Sequence, residues 1–439
     1  MRIGATPNRP RRIANPVLSA MIPAVAIVTG VIAFSQLLKA PPVACVNDAS
    51  RWNTVWSLVH EGTYVIADEL DGEFWWTIDD VKINGRWYSS KPPLYPTVIA
   101  GAYWVIHHVS GLDMHEKPEI VIRILLVLFN ILPLIAFIWV YGLYLERNVP
   151  DPWARGFWLI AGAFGTYITG YSVTLNNHLP AAFGVMFAVY LTTRIVYDGV
   201  RCPIYYLLAG LSAGWAAANE IPAILFLIGV LAILGLRAGW RTWAYALPAA
   251  AVVVVAYMVT TWYATDGSLI PNYLVKDSPR YNYEGSYWLT PTGIDAAAEP
   301  KLVYIYHMLL GHHGILSLTP LWLFAAISML LFVSGFSRDR AEIQWLTVAL
   351  SVTVFAAYVV MTNNYGGGAK GLRWTFWLIP LWLAVAPLGA EHYSRSRWAR
   401  AIALVALVIS LWTVLDALQS PWGMSWLHGI YHKQGFVPY

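Results

Sequence analysis

Apolar runs of about 17–25 residues recur along this chain with few charges inside them, the length an α-helix needs to cross a hydrocarbon core of about 30 Å. Charged residues make up 12% of the 439 positions and hydrophobic ones 58%, whereas soluble chains carry roughly 25% charged residues. A soluble fold of this length has nowhere to hide so much apolar surface, so lipid is the solvent. The runs fall near 16–38, 120–144, 157–175, 180–197, 203–219, 221–236, 243–264, 314–335, 343–362, 374–390 and 401–419. They predict a single all-α polytopic domain over 1–439 with about eleven transmembrane helices. The first run follows Arg2, Arg9, Arg11 and Arg12 and is longer than a signal-peptide core, so it is expected to be an uncleaved anchor.

The net charge of +4 says little by itself; the placement of the arginines says more. The apolar stretch Leu94–Ile106 has 13 residues, which suits an interfacial helix better than a span. With that stretch kept outside, Arg147, Arg155, Arg194, Arg201, Arg237, Arg241, Arg338, Arg340, Arg395, Arg397 and Arg400 all join the amino-terminal arginines on one side. That sorting satisfies the positive-inside rule and predicts a cytoplasmic amino terminus and an outer carboxyl terminus. Cys45 and Cys202 then lie on opposite sides, so no disulfide is expected. Two long segments face outward, 39–119 and 265–313. Long connections of this kind usually carry function.

The first outer loop opens Asn47-Asp48-Ala49-Ser50-Arg51-Trp52. Trp52, Val55, Trp56 and Val59 follow helical spacing and predict a short amphipathic helix on the membrane, with Asp48 just ahead of it. Asp48 is a helix cap on the plainest reading and a reactive carboxylate on the sharper one. The acidic run Asp68-Glu69-Leu70-Asp71-Gly72-Glu73 lacks the spacing of a calcium loop and reads as solvated surface. Asn84-Gly85, between β-prone residues, predicts a two-residue hairpin, because both turn positions need positive φ. The hairpin leads into Lys91-Pro92-Pro93-Leu94, where prolines stiffen the backbone around a lysine at headgroup depth. Such a lysine either snorkels or holds a lipid-linked phosphate.

Other polar residues gather at the outer ends of spans: Asn176, Asn177 and His178, Glu220, His307, His312 and His313, and Lys370. Ionisable groups at membrane depth are functional candidates by default. A divalent metal on His178, His312 and His313 is conceivable, but their spacing matches no ligand motif, so no cofactor is expected. Tyr273, Tyr281, Tyr283, Tyr287 and Trp288 in the second loop suit an interfacial aromatic belt, and sugar faces as well.

Asp48-x-Ser50-Arg51-Trp52, the helix ending near Gly62, the Lys91-Pro92-Pro93-Leu94 box and Arg123 opening the next span resemble the first outer loop of the GT-C superfamily. That superfamily comprises the polyprenyl-phosphate-sugar-dependent glycosyltransferases, among them protein O-mannosyltransferases and aminoarabinose transferases. Gly371-Leu372-Arg373-Trp374 with Pro380 resembles the family's Gly-x-Arg-aromatic start of a late span. Ala49 stands where the family often has a second acidic residue. The resemblance implies a bacterial plasma-membrane enzyme that moves a sugar from a polyprenyl-phosphate donor to an acceptor hydroxyl on a lipid, glycan or protein at the outer face. Membrane lipids are its surroundings, and nucleic acid has no part. It implies Asp48 as catalytic base and Arg51, Lys91 and Arg373 as donor-phosphate ligands; Arg123, and by their place at outer span ends His178, Glu220 and Lys370, are candidates to line the substrate cavity. A multi-pass transporter and an inactive membrane scaffold are the alternatives.

Overall fold

Residues 16–67, 75–336 and 340–439 are described in the structure, a computed structural model. The amino-terminal arginines, the acidic run 68–73 and Arg338 fall outside them. The chain folds as an α-helical bundle with one small sheet, as an all-α multi-pass membrane protein should. Its helices are α1 Pro16–Leu37, α2 Val46–His60, α3 Leu94–Ser110, α4 Pro118–Asn148, α5 Pro152–Phe164, α6 His178–Val196 and α7 Pro203–Asn219. They continue with α8 Ile221–Ala238, α9 Thr242–Ala264, α10 Lys301–Leu309, α11 Trp322–Val333, α12 Ala341–Met361, α13 Ile379–Val385, α14 Arg397–Gln419 and α15 Trp426–Lys433.

Among the described residues, seven helices are long and apolar enough to cross a membrane: α1 from Ser19, α4, α6, α8, α9, α12 and α14. The remaining four expected runs are shorter or broken. The run at 157–175 stops at Phe164, where Gly165-Thr166 interrupts it before a single turn at Tyr167–Gly170. The helix in 203–219 spans 17 residues, and 314–335 is split by Thr319-Pro320 ahead of α11. The run at 374–390 alternates 3-10 turns with the seven-residue α13, because Pro380 and Pro387 each remove a backbone donor.

Helix α6 is the central post, with 72% of its apolar window buried, against 28% for α8, α9 and α12, whose outer faces are left for lipid. Small residues let the helices approach closely. At Gly210 of α7 an added Cβ would sit 2.0 Å from the carbonyl oxygen of Ala246 in α9, so only glycine fits. Helix α4 holds a π-turn at Val127–Ile131 that turns Asn130 inward. Asn130 Nδ2 donates to the carbonyls of Ser172 and Thr174 at 3.0 and 2.9 Å, and its Oδ1 accepts from Tyr95 of α3 at 3.2 Å.

The predicted hairpin forms. Strands β2 Asp80–Ile83 and β3 Arg86–Ser89 pair in register around Asn84 and Gly85, whose φ values of 51° and 87° are the positive pair that such a turn requires. Strand β1 Val65–Ala67 adds to β3, giving the order β1-β3-β2. The segment 265–313 folds onto this sheet: Lys82 N donates to Arg280 O at 2.9 Å, and Trp288 Nε1 donates to Ile78 O at 2.9 Å. Tyr281 completes a small core with Val65, Val81 and Tyr88, and Tyr283 donates to Asp80 at 2.6 Å. Tyr281, Tyr283 and Trp288 therefore clasp the two loops together, while Tyr273 meets Tyr257 at 3.0 Å and Tyr287 meets Asp295 at 3.2 Å.

Helix α2 also departs from expectation. It is buried along Asn47–Val55 and is a wall of the protein, not a helix lying on its surface. It starts at Val46, so Asp48 sits inside its first turn and not ahead of it. Helix α3 is longer than the apolar run behind it, 17 residues, with Val98, Trp104, Val105 and Val109 exposed along one side.

Candidate functional site

The first turn of α2 needs partners for its free backbone donors. Cys45 caps it without a side-chain bond, and Asp48 reaches back to accept from Ala44 N at 3.2 Å. The same carboxylate accepts from the Thr174 hydroxyl, which lies 2.7 Å from both of its oxygens, and Trp422 Nε1 donates to that hydroxyl at 2.7 Å. Asp48 has no exposed surface. Burial pushes its pKa up to about 7, against the pull of Thr174, the Ala44 amide and Arg51.

One turn further along α2, Arg51 is equally buried. It donates to the carbonyl and side chain of Asn47 and to the side chain of Asn177, the residue before α6. Its Nε has no partner among the described residues. Asn177 Nδ2 donates onward to Glu220 at 2.7 Å, and Glu220 also accepts from His178 Nδ1. The other imidazole nitrogen, Nε2, accepts from Arg373 Nη1 at 3.1 Å, which fixes the histidine as its Nδ1–H tautomer. Arg373 is half-buried; its Nε donates to Gly366 O at 2.7 Å, and its guanidinium lies over the Trp422 ring, 5.3 Å from the centroid.

Lys91 approaches from the opposite wall. Its ammonium is 2.6 Å from Asp79, the residue before β2, and Asp79 accepts from Asn47 at 3.0 Å. Ser50 of α2 fastens this corner, donating to Asp79 O at 2.7 Å and lying 2.6 Å from Ser89 Oγ. Burial brings Lys91 down to about 8 although Asp79 raises it, with Arg51 and Arg373 adding repulsion. Burial also works against the charge on Asp79, but Lys91 prevails and holds that carboxyl below its usual range.

Asp48, Arg51, Lys91 and Arg373 therefore converge, from α2, the strap before α3 and the 3-10 turn before α13. Among the described residues neither guanidinium is ion-paired; both are held by neutral acceptors and an aromatic face. Such a cluster attracts an anion, and a guanidinium fork suits phosphate oxygens. The acid of raised pKa beside it can hold or take a proton near neutral pH.

His178 and Glu220 belong to the cluster as second-layer supports. Arg123 and Lys370 do not reach it. Arg123 donates to Ala40 O at 3.4 Å, and Lys370 pairs with Asp416 at 2.7 Å, each fastening the end of a helix. The grouping of His178 with His312 and His313 does not form: His178 is committed to Glu220 and Arg373, and His312 faces His313 at 2.6 Å and stacks on His307. Asp79, Asn47, Thr174 and Trp422 are the residues that sequence reasoning missed. Of these, only Asp79 carried a sequence signal, its place just ahead of a clear hairpin. No protein-family model matches the chain, and no curated protein matches it.

Proposed function

We propose that the chain is a membrane glycosyltransferase that moves a sugar from a polyprenyl-phosphate donor to an acceptor hydroxyl on the extracytoplasmic face. The observation that carries this reading is the meeting of Arg51, Lys91 and Arg373 beside the buried Asp48. In the reaction Asp48 accepts the acceptor hydroxyl's proton, and the freed oxygen bonds the anomeric carbon. The bond from that carbon to the phosphate oxygen breaks, and its electron pair leaves with the polyprenyl phosphate. The three cations offset the charge that grows on the departing phosphate, and they are worth most where water is excluded.

The eleven-crossing topology with an inner amino terminus fits this placement. Contacts between helix ends sort into two faces. Ser19 meets Glu146, Arg340 meets Asn148, Arg237 and Tyr197 meet Glu342, and Ser394 meets Asp151 at the arginine-rich face. Asn177 with Glu220, Arg373 with His178, Lys370 with Asp416 and Asn272 with Ser89 mark the other. On the proposed path each of the eleven runs joins the arginine-rich face to the other, and α3 stays on the outer one.

The test is transfer of radiolabelled sugar from defined polyprenyl-phosphate donors to candidate acceptors by the purified chain. Asp48→Asn and Lys91→Ala should each abolish transfer while eluting as folded protein. Full activity in both variants would sink the proposal.

A further inference from the structure

Beyond the donor site, Glu299 just ahead of α10, His307 on α10 and His312 beyond its end each present one ligand atom, and the three atoms lie within 4.8 Å of one another. The backbone is built for this approach. The chain turns back after α10, with Gly311 N bonded to Tyr306 O at 2.9 Å and His313 N to His307 O at 3.2 Å, laying the His312 ring 4.0 Å from that of His307. A Cβ at position 311 would sit 2.1 Å from His307 Nδ1, so the turn depends on glycine. His307 is 5% exposed and His312 0%.

The carboxylate is oriented from outside the trio. Tyr365 donates to one oxygen of Glu299, and Tyr439 donates to the other at 2.6 Å. Tyr439 also lies 3.3 Å from His312 Nε2, and Ser425 Oγ donates to His312 O at 2.6 Å. Phenols and hydroxyls that fix the ligands in this way are what second-layer groups do around a metal. A charged carboxylate half-buried among neutral rings, with hydroxyls in place of a cation around it, is costly unless its charge is balanced.

We propose that Glu299, His307 and His312 bind a transition-metal dication of the zinc type, with Tyr365 and Tyr439 orienting its carboxylate ligand. Two imidazoles and one carboxylate suit zinc and its neighbours over magnesium or calcium, and three protein ligands leave a position for water. The ion fastens the start of α10 to the turn beyond its end, and Tyr439 of the carboxyl-terminal segment holds its carboxylate ligand. The second trio, His60, His107 and Asp113, is more open, and its His60 is already met by Tyr103 at 2.9 Å and Asp113 at 3.2 Å. It serves as the control.

The experiment uses the full chain in detergent, stripped with a chelator, titrated with Zn²⁺ by calorimetry and checked for metal content, with Co²⁺ absorption as a reporter of nitrogen and oxygen ligation. The expected result is one ion per chain, an affinity at least about a hundredfold lower in His307→Ala/His312→Ala, and no change in His60→Ala. Tyr439→Phe, which removes one hydroxyl and no ligand, should weaken binding roughly tenfold, and it decides the matter if the histidine variant does not fold. The absence of a stoichiometric ion, binding unchanged in the histidine variant or in Tyr439→Phe, or loss in His60→Ala would overturn the site. Because the readout is metal binding, it is independent of sugar transfer.

Discussion

Asp48 makes a prediction whose sign reverses with pH. Burial raises its pKa from 3.8 to about 7, and at 1.36 kcal/mol per unit the charged form is disfavoured in the folded state by about 4 kcal/mol. The folded state binds this proton more tightly than the unfolded chain. Its stabilising effect is therefore full below about pH 4 and is lost as pH rises through about 7. Asp48→Asn removes that dependence. The amide keeps an acceptor for Thr174 but no longer accepts from both Thr174 and Ala44 N, a loss of about 1–3 kcal/mol. The variant should then be less stable than the parent at pH 4 and more stable by about 1–3 kcal/mol at pH 8. Thermal unfolding of both proteins in one detergent, followed by tryptophan fluorescence from pH 4 to 8, measures the difference and cancels the other titrating groups. A difference that stays flat across that range, or slopes the other way, refutes the account of a carboxyl held protonated by burial. Sugar transfer by the parent should rise with pH through a midpoint near 7, as for a base that works deprotonated.

Lys91→Met alone strands Asp79, at a cost of about 3–5 kcal/mol; adding Asp79→Leu should recover most of the stability without restoring donor affinity, read by unfolding and by KM for the donor. Trp422→Phe loses the donor to Thr174 and weakens the face under Arg373, so it should cost about 1 kcal/mol and raise KM for the donor while the protein stays folded. Gly210→Ala drives a methyl into the Ala246 carbonyl and should destabilise the bundle by about 1–3 kcal/mol in denaturant or heat, whereas Gly156→Ala, with open space around it, should be neutral or stabilising.

The features legible in the sequence were local ones. Asn84-Gly85 announced its turn because two adjacent positive φ values leave few other residues possible. The apolar runs announced the long helices because their length matches the bilayer. The broken runs near 165 and 380 hid behind apolar composition, which records solvent preference and not whether Gly165, Pro380 and Pro387 let the helix continue. Asp48 was expected just ahead of α2 and lies instead in its first turn, since Cys45 is an unusual cap that makes no side-chain bond. Asp79 stands just ahead of a clear hairpin, but no local pattern names Lys91 as its partner. Thr174 and Trp422 lie 126 and 248 residues from their partners Asp48 and Thr174, and no local pattern encodes such pairings. Asp79 puts a carboxylate beside the first turns of α2 from the hairpin side.

Asn177, Glu220 and Arg373 stand at the ends of separate helical segments, whose inclination responds to the thickness of the lipid around them. A bilayer thinner or thicker than the bundle's apolar height tilts these helices by different amounts. The guanidinium of Arg373 and the imidazole of His178 meet across such a seam at 3.1 Å, with little slack for sliding. Acyl-chain length in reconstituted vesicles thus acts as a tuning parameter for the site, with an optimum thickness at which the helix ends stand level.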